Sequence, residues 1–160
     1  MTIKIGVPKE VREGEQRVAL VPDIVNRLAK QDIQVSLETG AGALAGYTDD
    51  YYENAEIAAS SAEILSKSDI CLTVNPATNE QIEQLKEGSI LIGYLNPYSD
   101  LERFNKLKAK KISAFSMELI PRISRAQAMD ALSSQASIAG YKAVLLASNL
   151  LGKFFPMLTT

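Results

Sequence analysis

The sequence predicts an α/β lobe with a mostly parallel sheet and a long C-terminal helix. Short apolar runs alternate with helical patterns along most of the chain, which is the signature of strands connected by crossover helices. Start signals precede several helical patterns, and a Gly and a Pro follow the last one. At 160 residues, 46% hydrophobic and 22% charged, the chain can bury the core of one compact lobe.

Strands are expected at residues 3–7, 35–38, 70–74, 90–94 and 112–115, each a short run rich in β-branched or aliphatic residues. Helices are expected between them, at residues 22–30, 61–67, 79–85 and 100–108, with a short helical piece near 49–54. Pro22 suits a first helical turn, where its missing N–H costs nothing. Asn79 and Asp100 stand where N-caps are needed. The last helix is expected from about residue 133 to 151, with Gly152 as its stop and Pro156 beyond. Ala136, Gly140, Ala143 and Ala147 make a row of small residues along it, suited to close packing on the sheet or at an interface. The ending FFPMLTT carries no polar tail and reads as a chain cut at a domain boundary.

Composition excludes several kinds of chemistry. The net charge is -2, so there is no basic surplus to neutralise the phosphates of a nucleic acid. The absence of histidine removes the commonest acid–base residue and the commonest metal ligand, so no metal site is expected. Cys71, the single cysteine, cannot form an internal disulfide and reads as a small buried hydrophobe in a strand of a protein kept reduced. The N-terminus reads as a charged strand rather than a signal peptide, and no apolar run reaches transmembrane length.

Two segments invite a functional reading. Residues 121–141, PRISRAQAMDALSSQASIAGY, interleave arginines, glutamines, serines and an aspartate with apolar residues. A core segment would leave those polar groups unpaired, and a solvated loop would not carry Ile123, Ala126, Met129 and Leu132. The pattern suits a rigid loop that presents polar groups to a dinucleotide. Ser124 and Gln127 also fit a capping box. The second segment is TGAGALAG, where Gly40, Gly42 and Ala45 loosely match the dinucleotide glycine fingerprint. A true fingerprint opens a helix, whereas Tyr47, Thr48 and Asp49 follow here, so a turn needing positive φ is expected instead.

Four stretches carry a family resemblance: IGVPKEVREGEQRVALVP, ETGAGALAGYTD, YLNP and PRISRAQAMDALSSQASIAGYKAV. They resemble the N-terminal part of the NAD(H)-binding domain, the alpha subunit, of the proton-translocating nicotinamide nucleotide transhydrogenases. The first two stretches are shared with alanine dehydrogenases. Enzymes of that kind carry a lysine and a histidine at two strand ends, where this chain has Asn75 and Asn96. Arg17 matches the arginine that in those enzymes helps hold the substrate carboxylate, and its plainer reading is a structural ion pair.

The resemblance implies a Rossmann-like or flavodoxin-like lobe, residues 1–160, forming the first half of a two-lobe domain. It implies direct hydride transfer from NADH to NADP+ coupled to proton translocation, with NAD(H) on this domain and NADP(H) on a partner domain. Direct hydride transfer between two nicotinamides needs positioning and water exclusion rather than a proton carrier. Arg122, Gln127 and Asp130 then match the residues beside the reacting nicotinamide, and Ser133 joins them in holding its carboxamide. Arg125 matches less closely and suits an internal salt bridge. Tyr141 is expected to pack. The implied partners are a second Rossmann lobe, the NADP(H)-binding beta subunit, a membrane domain and a second copy in a homodimer, on the cytoplasmic side of the inner membrane as a peripheral component. The family's own glycine fingerprint would follow a connection starting near Thr159. The alternatives are an alanine dehydrogenase-like oxidoreductase and a non-catalytic assembly module.

Overall fold

The computed structural model describes residues 2–156, so Thr159 and the end of the FFPMLTT segment lie outside the described residues. The chain forms two compact units, residues 1–117 and 118–160.

The first unit is a six-stranded, all-parallel sheet. Its strands are β1 (Lys4–Val7), β2 (Gln34–Glu38), β3 (Glu56–Ala58), β4 (Ile70–Leu72), β5 (Ile90–Gly93) and β6 (Ser113–Ser116), in the order β3-β2-β1-β4-β5-β6. This is the doubly wound strand order of dinucleotide-binding domains, with its switch point between β1 and β4. Five strands fall within a few residues of their expected positions. β3 was not foreseen, because Glu56, Ile57 and Ala58 form a three-residue edge strand of which only Ala58 is buried.

Four helices connect the strands: α1 (Pro22–Ala29), α2 (Ser61–Lys67), α3 (Asn79–Gln84) and α4 (Leu101–Ala109). Pro22 opens α1 as expected, and Asp100 caps α4 by accepting from the N–H of Arg103 at 3.0 Å. The cap of α3 is Thr78 rather than Asn79. Thr78 and Gln81 exchange side-chain-to-backbone hydrogen bonds of 3.2 and 2.9 Å, a reciprocal pair that an asparagine one residue later cannot make. The short helical piece expected near 49–54 is a 3-10 turn at Asp49–Tyr51.

The core lies on both faces of the sheet. Ile5, Val7, Val35 and Leu37 bury one face against Val25 of α1 and against Tyr52. Cys71 and Leu91 bury the other against Leu65, Ile82 and Leu107 of α2, α3 and α4. Cys71 is fully buried, and burial pushes its thiol up to about 12, so it is an inert core residue. Coverage is uneven. On the α1 face, Ile70, Leu72, Ile90 and Ile92 are only half-buried and Phe115 of β6 is exposed.

Close approach of α2 to β1 depends on Gly6. A Cβ there would stand 2.3 Å from Ser68 Oγ and 2.5 Å from Ile64 Cγ2. Because both atoms sit in a packed interior, Gly6→Ala is expected to destabilise the chain by about 1–3 kcal/mol through overpacking. A shift in the urea midpoint checks this, and an unchanged midpoint would mean that α2 moves away freely.

Candidate functional site

The carboxyl ends of β1 and β4 are joined by a polar network. Glu10, just past β1, accepts from the backbone N–H of Val74 at 2.5 Å, from that of Asn75 at 3.1 Å and from Asn75 Nδ2 at 2.9 Å. Asn75 Nδ2 also donates to Glu15 at 2.9 Å, while Asn75 Oδ1 accepts from Arg12 Nη1 at 3.2 Å. Both donors of the Asn75 amide are therefore used, and the amide carries no titratable proton. Asn75 braces the strand end and cannot act there as an acid or base. Asn96, at the end of β5, is held at φ 49° in a turn whose carbonyl accepts from Ser99 N and Ser99 Oγ. Asparagine tolerates this left-handed conformation better than most residues.

Arg17 makes the ion pair expected of it. It donates Nε and Nη2 to the two oxygens of Glu15, at 2.8 and 2.7 Å, in a bidentate fork, and its guanidinium lies 6.0 Å from the Tyr94 ring centroid. The Arg17 fork is the main cause that holds the Glu15 carboxyl down to about 2, with Asn75 adding to it against a desolvation cost. Glu10, Arg12 and Glu15 were not singled out in the sequence. Their signal was the density of charge in KEVREGEQR between a strand and a helix, but nothing local tells which strand end such a loop will clasp.

The glycine segment is a turn, as expected. Gly40 has φ +70°, with its N–H donating to Asp49 at 2.8 Å. A Cβ on Gly42 would stand 2.6 Å from Tyr52 Oη. The segment passes into a short 3-10 turn at Ala43–Ala45, not into a helix that could receive a pyrophosphate.

The second unit holds the polar loop and the helix α5 (Ala131–Leu150). Residues Ser124–Met129 form a 3-10 helix that buries Ala126 and leaves Arg122, Arg125 and Gln127 exposed. The capping box expected from Ser124 and Gln127 does not form, because Ile123 occupies the N-cap position and has no side-chain acceptor. Asp130 is the effective cap. It accepts from Ser133 N at 3.0 Å and from Ser133 Oγ at 2.6 Å, and it starts α5 two residues earlier than expected. These two bonds, with Arg122 as a further attraction, hold its carboxyl below the usual range. The structure thus joins Asp130 directly to Ser133, places Arg122 within electrostatic reach, and leaves Gln127 on the preceding 3-10 turn.

No residue of α5 is buried, Tyr141 is exposed rather than packed, and nothing lies within 4 Å of a Cβ placed on Gly140. The close packing expected of the small-residue row is therefore not made among the described residues. Among those residues no helix is long and apolar enough to cross a membrane.

The Glu15 fork has a pH signature. A carboxyl lowered in the folded state stabilises it fully above its ordinary value of 4.5, and this is lost as the pH falls toward 2. Glu15→Gln should lower stability at pH 7 by about 1–3 kcal/mol and flatten the acid limb. Urea unfolding at several pH values checks this, and parallel limbs in both proteins would exclude the fork as its source.

The model of the alanine dehydrogenase/PNT N-terminal domain matches residues 6–139. NAD(P) transhydrogenase subunit alpha of Cereibacter sphaeroides is 43% identical over 96% of this chain and 30% of its own length. The crystal structure of transhydrogenase from Sinorhizobium meliloti superposes with a TM-score of 0.91 at 33% identity, over 98% of this chain and 47% of that one. Alanine dehydrogenase of Bacillus subtilis is more distant, at 30% identity over 93% of this chain and 39% of its own. The chain spans less than half the length of these relatives. The matched span covers most of the first unit, the polar loop and the start of α5, and this chain belongs to the alanine dehydrogenase/PNT N-terminal domain family.

Proposed function

We propose that this chain is the first lobe of the NAD(H)-binding component of a proton-translocating transhydrogenase, serving direct hydride transfer from NADH to NADP+. The observation that carries the reading is Asn75. Its amide is spent on Glu10, Glu15 and Arg12, so the strand end that holds a proton carrier in alanine dehydrogenases holds a brace here. A reaction that moves only a hydride between two nicotinamides tolerates that loss, and an amination that passes through an imine does not.

The donor set in the second unit fits a nicotinamide carboxamide. Asp130 keeps lone pairs beyond the two that Ser133 occupies, Arg122 can donate to a carbonyl oxygen, and the Ser133 hydroxyl, whose proton goes to Asp130, can accept from the carboxamide NH2. Gln127, exposed one turn earlier, would set the ring's approach to a second nicotinamide. When bound, the dinucleotide supplies the hydride. The residues of this chain hold the carboxamide, fix the ring plane and keep water from the reacting carbon.

A second Rossmann lobe would supply the pyrophosphate and adenosine sites. The half-covered sheet at β4 to β6 and the exposed α5 fit a lobe that is completed by further protein. The NADP(H)-binding beta subunit, a membrane domain, a second copy of the component and a peripheral position on the cytoplasmic face of the membrane belong to the same proposal.

Titration of NADH against this chain, and against a version extended through a second lobe, tests the half-site reading. The extended protein is expected to bind and the short chain is not. Tight binding by the short chain alone would place a complete nucleotide site within it. In the assembled enzyme, Gln127→Asn is expected to slow single-turnover hydride transfer by at least about tenfold with little change in NADH affinity. An unchanged rate removes Gln127 from the reacting centre. Asp130→Asn separates capping from ligand binding, since asparagine caps a helix as well as aspartate does. It should leave the helical circular dichroism intact and weaken NADH binding. Intact NADH binding with impaired subunit assembly would favour an assembly module instead.

A further inference from the structure

We propose that the cavity at the carboxyl ends of β1 and β4 binds a small multivalent oxyanion, a phosphoryl group or a dicarboxylate, independently of the nicotinamide loop. The cavity measures about 330 Å³ and lies at the switch point of the sheet, where an open α/β fold leaves a crevice. That volume is at the lower end for ligand pockets, too small for a dinucleotide and sufficient for a group of a few heavy atoms.

Charge decides the class of ligand. Arg12 and Arg103 line the cavity together with one carboxylate, Glu10, whereas the Lys9 ammonium stands 3.7 Å from a Cβ placed on Gly40, past the end of β2 and outside the lining. The two Glu10 oxygens are taken up by three N–H donors of Val74 and Asn75, and Arg17 lies within electrostatic reach of the carboxylate. Arg103 is held at 3.0 Å by Asp100. Arg12 has no carboxylate partner among the described residues. Arg12 is aimed by one bond from Nη1 to Asn75, which leaves most of its guanidinium N–H groups to the cavity.

Neutral donors point the same way. Gln81 is buried and turns its Oε1 back to the N–H of Thr78, so its NH2 group remains as a donor at the cavity wall. Buried polar groups are nearly always satisfied, by protein, water or ligand. Two guanidinium groups and an amide donor around one crevice suit an anion with several acceptor oxygens. Arg17, clamped to Glu15, is not part of the cavity lining.

Inorganic phosphate and malonate, each titrated into the 15N-labelled 160-residue chain against sodium chloride of equal ionic strength, test the proposal. The expected result is saturable shifts at millimolar concentration, confined to residues 9–12, 73–81 and Arg103. Tighter binding of phosphate identifies a phosphoryl group, and tighter binding of malonate identifies a dicarboxylate. Arg12→Gln is expected to weaken binding by about tenfold, the loss of one charge-assisted contact. Arg103→Gln, which leaves the Asn75 network untouched, should weaken it by a smaller factor. Shifts that fail to saturate, that chloride reproduces, or that both variants leave unchanged would overturn the site.

Discussion

Glu10 reaches from the end of β1 to three N–H donors at the end of β4, and the charged loop that follows is built on that clamp. The two strands are neighbours at the switch point of the sheet, where their connections leave in opposite directions. Without a crossing contact the crevice between their ends would be lined by unpaired backbone donors. Glu10 satisfies those donors and presents Asn75 in one orientation. Asn75 in turn orients Glu15 and Arg12, and Glu15 holds Arg17. Each member satisfies the next, which is the condition under which a partly buried polar network rigidifies a site.

Under the proposed function, the network also accounts for a change of chemistry within one architecture. A lysine or histidine at a strand end can carry a proton, whereas an asparagine with its amide fully engaged can only hold geometry. The same family model takes in alanine dehydrogenases and transhydrogenases, and in the proposed reading the difference rests on a few side chains at strand ends. The polar loop illustrates a second economy. Asp130 and Ser133 start α5 as a cap pair, and the same two groups are complementary to a carboxamide. A carboxylate has more lone pairs than one capping interaction consumes, so structural and ligand-binding roles are compatible at one residue.

Much of the fold was legible because period and burial agree. Ile5, Val7, Val35, Leu37, Cys71 and Leu91 are apolar in short runs and are buried between helices on the two faces. The edge strand Glu56–Ala58 was not legible, since a half-exposed strand of three residues has no pattern distinct from a loop. Thr78 was passed over for Asn79 because both residues cap helices, and only the reciprocal bond with Gln81 selects between them. Ser124 and Gln127 have the spacing of a capping box, yet the chain turns as a 3-10 helix there and Asp130 takes the capping role for α5.

The sequence by itself determined the class of the fold, the order of its main elements, the inert character of Cys71 and that none of these 160 residues is a histidine. These follow from local period, composition and residue chemistry, which do not depend on what lies far away in the chain. Only the tertiary structure decided which strand end Glu10 would clasp, that Arg12 and Asn75 would share a hydrogen bond across 63 positions, and that a cationic crevice would stand between β1 and β4. Contacts of that separation arise from the order of strands in the sheet. A parallel crossover brings together residues that no window of the sequence contains.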